Sequence, residues 1–277
     1  MPIRVGHSPD PDDAFMVWAL AAGEVDTCGL EFELVPADIQ TLNEWAREGR
    51  LEVTALSAAG YPDVQDRYAL LAHGGSFGVG YGPIVVAREQ LSRGRLQRTR
   101  IAIPGRQTTA YLVLRMYLGG DFVHDVLPFD EILPAVADGR VDAGLVIHEG
   151  QLTYADAGVV RCLDLGEWWL LETGLPLPLG VNTVRRDLGE ATMRSVSEVL
   201  RDAIRTGLDR RREALAYALR FGRDLDGETL DRFVGMYVNE LTCDLGDEGR
   251  QAVRELMTRA ERLGAFACPV RIDFVGR

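Results

Sequence analysis

What most limits the folds open to this chain is a strand–helix alternation over the first 147 residues that gives way to helices alone beyond Arg185. Residues 3–6 read as a strand running into the loop His7-Ser8-Pro9-Asp10-Pro11-Asp12-Asp13. Residues 14–22 read as a helix with Phe15, Trp18 and Ala19 on one face, for which Asp12 or Asp13 is expected to serve as a cap. A half-buried strand at 31–35, a helix at 39–47 stopped by Gly49, and a strand at 52–57 follow. Strands alternating with helices require parallel sheets with crossover connections, so the fold class is α/β.

The glycines of residues 74–83 superficially match a dinucleotide fingerprint, but they lead into the strand at 84–87. A phosphate-binding fingerprint must open a helix, so this stretch reads as a turn or hinge. A second α/β unit starts at 100–103. It continues through the loop Pro104-Gly105-Arg106-Gln107-Thr108-Thr109, helices at 110–118 and 129–137, and a strand at 142–147 followed at once by His148 and Glu149. Three apolar stripes then mark helices: Val196, Val199, Leu200, Ala203 and Ile204; Leu230, Phe233, Val234, Tyr237 and Val238; and Val253, Leu256, Met257 and Ala260. Asp187 and Glu190 have the spacing of a capping box for the first. A length of 277 residues suits two lobes. The simplest division gives residues 1–87 and 180–277 to a larger discontinuous lobe and 88–179 to a smaller one. Crossings near Ala87 and Leu179 would then form a two-strand hinge beside an interlobe cleft for a ligand.

Composition narrows the chemistry. With 30 basic and 42 acidic residues the formal charge is −12, which disfavours nucleic acid as a partner. Any small anionic substrate has to be held by a local positive site working against that field. All 30 basic residues are arginine, so Schiff-base chemistry and a lysine-bearing phosphate loop are excluded, and proton transfer falls to His, carboxylates, Tyr or Cys. Cys28, Cys162, Cys243 and Cys268 lack CxxC spacing and read as buried structural thiols. No apolar run approaches the roughly 20 residues of a membrane span. The opening residues also lack the layout of a secretory signal, so a cytoplasmic location is expected.

Strand ends carry the candidate chemistry. Thr108-Thr109 opens a helix whose first-turn amides and dipole favour an anion, although one threonine can equally be a plain cap. His148 follows a buried strand and has the titration range of a general base, with a structural histidine as the even alternative. His7, Ser8 and Ser57 are further strand-end groups. Asp10, Asp12 and Asp13 match no calcium loop, so no metal site is expected there; capping plus one functional carboxylate is the reading. His73 and His124 read as structural. Trp168-Trp169 and Pro176-Leu177-Pro178-Leu179 are either core or an apolar wall for an aromatic ligand.

Several segments taken together resemble one family. Ser8-Pro9-x-Pro11-x-Asp13, Thr41-Leu42-Asn43-x-Trp45, Pro104-Gly105-Arg106-x-Thr108-Thr109-Ala110-Tyr111, Gly144-Leu145-x-Ile147-His148-Glu149, Asp164-Leu165-Gly166-x-Trp168-Trp169 and Gly174-Leu175-Pro176-Leu177-Pro178-Leu179-Gly180 are similar to the MqnD family. These are the 1,4-dihydroxy-6-naphthoate synthases of the futalosine route to menaquinone. The likeness extends to Arg185-Arg186-Asp187-Leu188-Gly189 and Tyr237-Val238-Asn239. It implies a type II periplasmic-binding-protein-like fold used inside the cell as an enzyme that needs no metal or organic cofactor. The implied reaction breaks a carbon–carbon bond of cyclic dehypoxanthinyl futalosine and releases a three-carbon fragment. By motif, His148 would be the general base, with Leu56-Ser57 and Thr108-Thr109 binding substrate; Ala55, Ser8 and Asp10, beside them, are further candidate substrate contacts. Here Asp10 and Asp12 stand where the family usually has Cys and Asn, and Ala55 where it usually has Lys. Arg106 or another arginine is then expected to neutralise the substrate carboxylate, unless the substrate differs. Two rival readings share the fold: an anion-binding receptor without chemistry, and the chorismate dehydratase of the same pathway.

Overall fold

The computed structural model describes residues 2–221 and 226–276. From the amino end the chain forms β1 (Ile3–His7), α1 (Pro11–Ala22), β2 (Phe32–Pro36), α2 (Ile39–Glu48), β3 (Val53–Ser57), β4 (Tyr68–Leu71) and β5 (Ser76–Gly78). Next come β6 (Ile84–Ala87), α3 (Arg93–Leu96), β7 (Ile101–Ile103), α4 (Thr109–Leu118), β8 (His124–Val126), α5 (Phe129–Ala137), β9 (Ala143–Val146), α6 (Gly150–Thr153), β10 (Val160–Asp164) and α7 (Leu165–Thr173). The chain ends with β11 (Leu177–Arg185), α8 (Glu190–Asp209), α9 (Arg211–Ala218), α10 (Gly227–Tyr237), α11 (Glu240–Cys243), α12 (Gly246–Arg262) and β12 (Phe274–Val275).

Two compact units result. The first holds residues 1–77, 178–253 and 270–277, and the second residues 78–177 and 254–269. In the first unit the sheet runs β12-β4-β11-β3-β1-β2, with β5 paired to β11. β1 lies parallel to both β2 and β3, with Val5 opposite Leu34 and Val53, so the carboxyl ends of β1 and β3 share one edge. Apolar residues of the sheet (Ile3, Val5, Val53, Val184) pack with Val196 and Leu200 of α8. Phe15 and Trp18 of α1 join Ala203 and Ile204 of α8 and Leu230 and Val234 of α10 in a second cluster. The helical stripes seen in the sequence are the residues buried here, as burial of apolar surface requires.

In the second unit the sheet order is β10-β6-β9-β7-β8. β7 is parallel to both β9 and β8, and β6 is antiparallel to β9 and β10. Val86, Ala102 and Val146 pack with Ile132, Ala135 and Val136, three buried residues of α5. Gly144 is required for this contact: a Cβ there would lie 2.5 Å from Ile132 Cγ2 and 2.8 Å from Val136 Cγ2.

Several local expectations are corrected; among them, Cys28 and Cys268 are exposed rather than buried. The division expected at residues 87 and 179 falls at 77/78 and 177/178, because β6 is a central strand of the second sheet. The later half of α12 also belongs to the second unit, since its Arg259 stacks over Trp169. Asp187 and Glu190 form no capping box: Gly189 is the cap residue of α8, and Asp187 accepts from Arg185 Nε at 2.6 Å. α1 starts at Pro11 with Asp10 in the cap position, and neither Asp12 nor Asp13 caps it; the Asp13 carboxylate reaches back to the Ser8 amide instead. Within the expected turn at 74–83, residues 76–78 are the strand β5, with Gly74 and Gly80 in left-handed conformation on either side. Among the described residues no helix is long and apolar enough to cross a membrane.

Candidate functional site

In the second unit, the parallel neighbours β7 and β9 end at the same sheet edge. The loop after β7 delivers Thr108 and the amino end of α4, and the turn after β9 delivers His148. The edge of a parallel sheet at its strands' carboxyl ends is where α/β proteins place ligands. His148 is half-buried and holds a φ of 55°, one of two non-glycine residues at positive φ among those described. That conformation is sterically costly for an L residue and accumulates at functional positions. It turns the chain out of the strand, and the His148 carbonyl accepts from the Gln151 amide at 3.1 Å. Its imidazole meets the ring of Phe129, at the start of α5, edge to face with centroids 4.8 Å apart. Glu149 is in the same turn, so strand alternation does not set its direction.

Thr108 is the cap of α4: its hydroxyl accepts from the Tyr111 amide at 3.2 Å and donates to the Gly105 carbonyl at 2.8 Å. The plain capping role is therefore filled by Thr108. The helix end it secures, with the buried Thr109 as first residue, keeps the positive pole of α4 at this edge. Arg106 is exposed, and its Nε donates to His124 Nε2 at 3.1 Å. His124 Nε2 must then be the unprotonated nitrogen, with Nδ1 donating to the Phe122 carbonyl at 3.0 Å. Since His124 begins β8 opposite Ile101, Arg106 is tied toward the start of β7, away from the edge that carries His148. Trp169 is fully buried, and its indole donates to the Pro176 carbonyl at 3.1 Å. Trp168 is half-buried and packs edge to face on Tyr117, so of the tryptophan pair Trp169 is the core residue.

The first unit offers a second group at the edge where β1 and β3 end. Ser57 is buried and held by Asn43 of α2: its amide donates to Asn43 Oδ1 at 3.1 Å, and Asn43 Nδ2 donates to Ser57 Oγ at 3.3 Å. Ala55 joins Leu42 and Leu51 in a small apolar cluster, and Leu56 is buried. After β1, the Ser8 amide donates to Asp13 Oδ2 at 2.7 Å and the Ser8 hydroxyl donates to Asp10. Burial raises the Asp13 carboxyl to about 7, opposed by the Ser8 amide and reinforced by the Asp10 charge. Burial lowers the His7 imidazole, which donates from Nδ1 to the Ser8 carbonyl, a bond that partly offsets the shift. Among the described residues no group of three or more His, Cys, Asp and Glu side chains is arranged to hold a metal ion. His73 is buried against Ser197, so it is a core group.

Sequence reasoning missed Asn43 and Phe129 as site residues. Asn43 carried a signal: a polar residue between Leu42 and Ala46 on the buried side of an amphipathic helix needs a polar partner. Phe129 carried none, because an aromatic residue opening a helix reads as core.

A family model described as menaquinone biosynthesis matches residues 3–262. A Thermus thermophilus protein named 1,4-dihydroxy-6-naphthoate synthase is 45% identical over 99% of this chain and 99% of its own. A Streptomyces coelicolor protein of the same name is 39% identical, covering 95% and 94%. Among solved structures, an Archaeoglobus fulgidus protein superposes with a TM-score of 0.91 at 46% identity, over 96% of this chain and 98% of that one. A Candida albicans protein described as having the generic periplasmic-binding-protein fold superposes with a TM-score of 0.64 at 11% identity, over 100% and 99%. That distant likeness bears on the fold alone, which is periplasmic-binding-protein-like as expected.

Proposed function

Because the chain belongs to the menaquinone biosynthesis family, and within it to the 1,4-dihydroxy-6-naphthoate synthases, we propose that it is a carbon–carbon lyase with His148 as its general base. Its substrate is cyclic dehypoxanthinyl futalosine, a small anion, and its products are 1,4-dihydroxy-6-naphthoate and a three-carbon fragment, dihydroxyacetone. The cytoplasm is the proposed location, as suits a biosynthetic enzyme. One observation carries the reading: the imidazole of His148 and the amino end of α4 leave neighbouring parallel strands at one sheet edge. A base beside the positive pole of a helix suits a reaction that removes a proton and develops oxyanion charge.

In the proposed mechanism, neutral His148 takes a proton from a substrate hydroxyl. The adjoining carbon–carbon bond then breaks in the retro-aldol sense, and the new naphthalene ring gains aromaticity. The Phe129 ring fixes the imidazole plane and shields one face from water. The first-turn amides of α4 hold the developing oxyanion or the carboxylate, a role the Thr108 hydroxyl does not share because capping occupies it. Ser57 is proposed as a further substrate contact. Arg106 is a weaker candidate for the carboxylate than the sequence suggested, given its tie to His124.

Purified protein incubated separately with cyclic dehypoxanthinyl futalosine and with chorismate, with products followed by mass spectrometry, tests the assignment. Conversion of the first alone is expected. No conversion of either would leave a receptor, and conversion of chorismate would identify the dehydratase. His148→Asn should lower turnover roughly 10²–10⁴-fold with an unchanged circular dichroism spectrum. Near-normal turnover in that variant removes His148 from the mechanism.

A further inference from the structure

We propose that Asn43 is a positioning residue that makes the Ser57 hydroxyl a hydrogen-bond donor toward an acceptor oxygen of the substrate, a carboxylate or carbonyl. The inference rests on Ser57 being a substrate contact and goes further, to the chemistry that Ser57 can recognise.

The polarity of the pair follows from one fixed point. A backbone N–H can only donate, so the atom of Asn43 that faces the Ser57 amide at 3.1 Å is the carboxamide oxygen. That settles the orientation of the carboxamide and puts its NH2 group 3.3 Å from Ser57 Oγ. The NH2 group has no acceptor capacity, so Oγ accepts from it and the hydroxyl proton has to point elsewhere. Both residues are buried, Asn43 at 3% exposure and Ser57 at 5%, so water competes little for these bonds. Gly60 leaves room for the arrangement: a Cβ there would lie 3.1 Å from Asn43 Oδ1. A serine hydroxyl normally rotates to suit whatever is nearby. Held this way, with one lone pair occupied and its proton turned away from Asn43, it offers that proton to an oxygen acceptor.

A double-mutant cycle on the full chain, read as KM and kcat with cyclic dehypoxanthinyl futalosine, tests the assignment. Asn43→Asp retains the shape and the acceptor for the Ser57 amide, but its carboxylate takes the hydroxyl proton and leaves only lone pairs for the substrate. Ser57→Ala should raise KM roughly 10–100-fold, the usual effect of losing a hydrogen bond to a charged group, and change kcat by less than about threefold. Asn43→Asp should raise KM in the wild-type background by roughly 10-fold or more beyond its effect in the Ser57→Ala background. Repulsion between the new charge and an anionic substrate acts in both backgrounds and cancels in the cycle. Equal effects in the two backgrounds overturn the proposal, because Asn43 then acts independently of the hydroxyl. If Asn43→Asp does not fold, Asn43→Ala takes its place and the same difference is read. A Ser57→Ala enzyme with unaltered KM also overturns it, whereas the loss of turnover in His148→Asn would still support the lyase assignment.

Discussion

At His148 a left-handed backbone and a catalytic role compete for the same residue. A φ of 55° costs a non-glycine residue roughly 1–2 kcal/mol, which glycine largely escapes. The turn has to hold an imidazole nonetheless, and the Phe129 ring 4.8 Å away keeps that imidazole in place. Chemical denaturation should therefore find His148→Gly more stable than His148→Ala by about 1 kcal/mol, with turnover lowered in both as in His148→Asn. The comparison isolates the backbone because both substitutions remove the same ring contact. If glycine is no more stable than alanine, the turn is not strained. Candidate residues were legible where a strand end announced them: His148, Thr108 and Ser57 each follow a run of buried strand residues. Their hydrogen-bond states were not legible. That Thr108 is occupied by capping and Arg106 by His124 depends on atoms brought together by folding, and sequence spacing does not fix rotamers.

Among the elements, the pairing of β7 with β9 does most to assemble the second unit's edge, and it depends on α5 lying close over β9. Gly144 makes that approach possible. Gly144→Ala should cost about 1–3 kcal/mol, because the added methyl meets Ile132 and Val136 in a packed core. Displacing α5 also moves Phe129 away from His148, so turnover should fall in the surviving folded protein; thermal unfolding combined with kcat on the folded fraction measures both. Unchanged stability would show that α5 can retreat without cost. The alternating segments of both sheets were visible in the sequence because buried parallel strands and amphipathic helices have different apolar periods. The strands β4, β10 and β11 were not recognised. Pro178 and Gly180 punctuate β11 and disguise a strand that pairs with β3 and β4, and the antiparallel partners of β6 are set by long-range contacts. The same gap moved the division between units from residue 87 to residue 77, since nothing local in residues 78–87 says to which sheet they belong.

Over the whole molecule, two desolvated groups in the first unit, the buried His73 and the half-buried Asp13, pull the pH dependence of stability in opposite directions. Burial lowers the His73 imidazole to about 3, with the Arg201 charge adding to the shift and the Asp244 charge and Ser197 opposing it. Between about pH 3 and its ordinary value of 6.5, the unfolded chain binds a proton at His73 that the folded chain refuses, so stability from this group is lost as pH falls. Asp13 has the reverse sign. Its carboxyl, raised from 3.8 to about 7, holds a proton in the folded chain that the unfolded chain releases, so its contribution is lost as pH rises through that window. Each group alone tilts stability by roughly 1 kcal/mol per pH unit. From about pH 4 to 6.5 the two slopes largely cancel. His73→Gln should remove the rising slope, so that its stability relative to wild type falls with increasing pH. Asp13→Asn should remove the falling slope and gain stability relative to wild type over the same range. Urea titrations of the three proteins at pH 4.5, 5.5 and 6.5, chosen on the order of one unit apart to span this window, measure both tilts. Referring each variant to wild type subtracts the titration of every other carboxylate. Two variants that tilt the same way, or neither tilting, would show that these side chains do not keep their buried ionisation states in the folded protein.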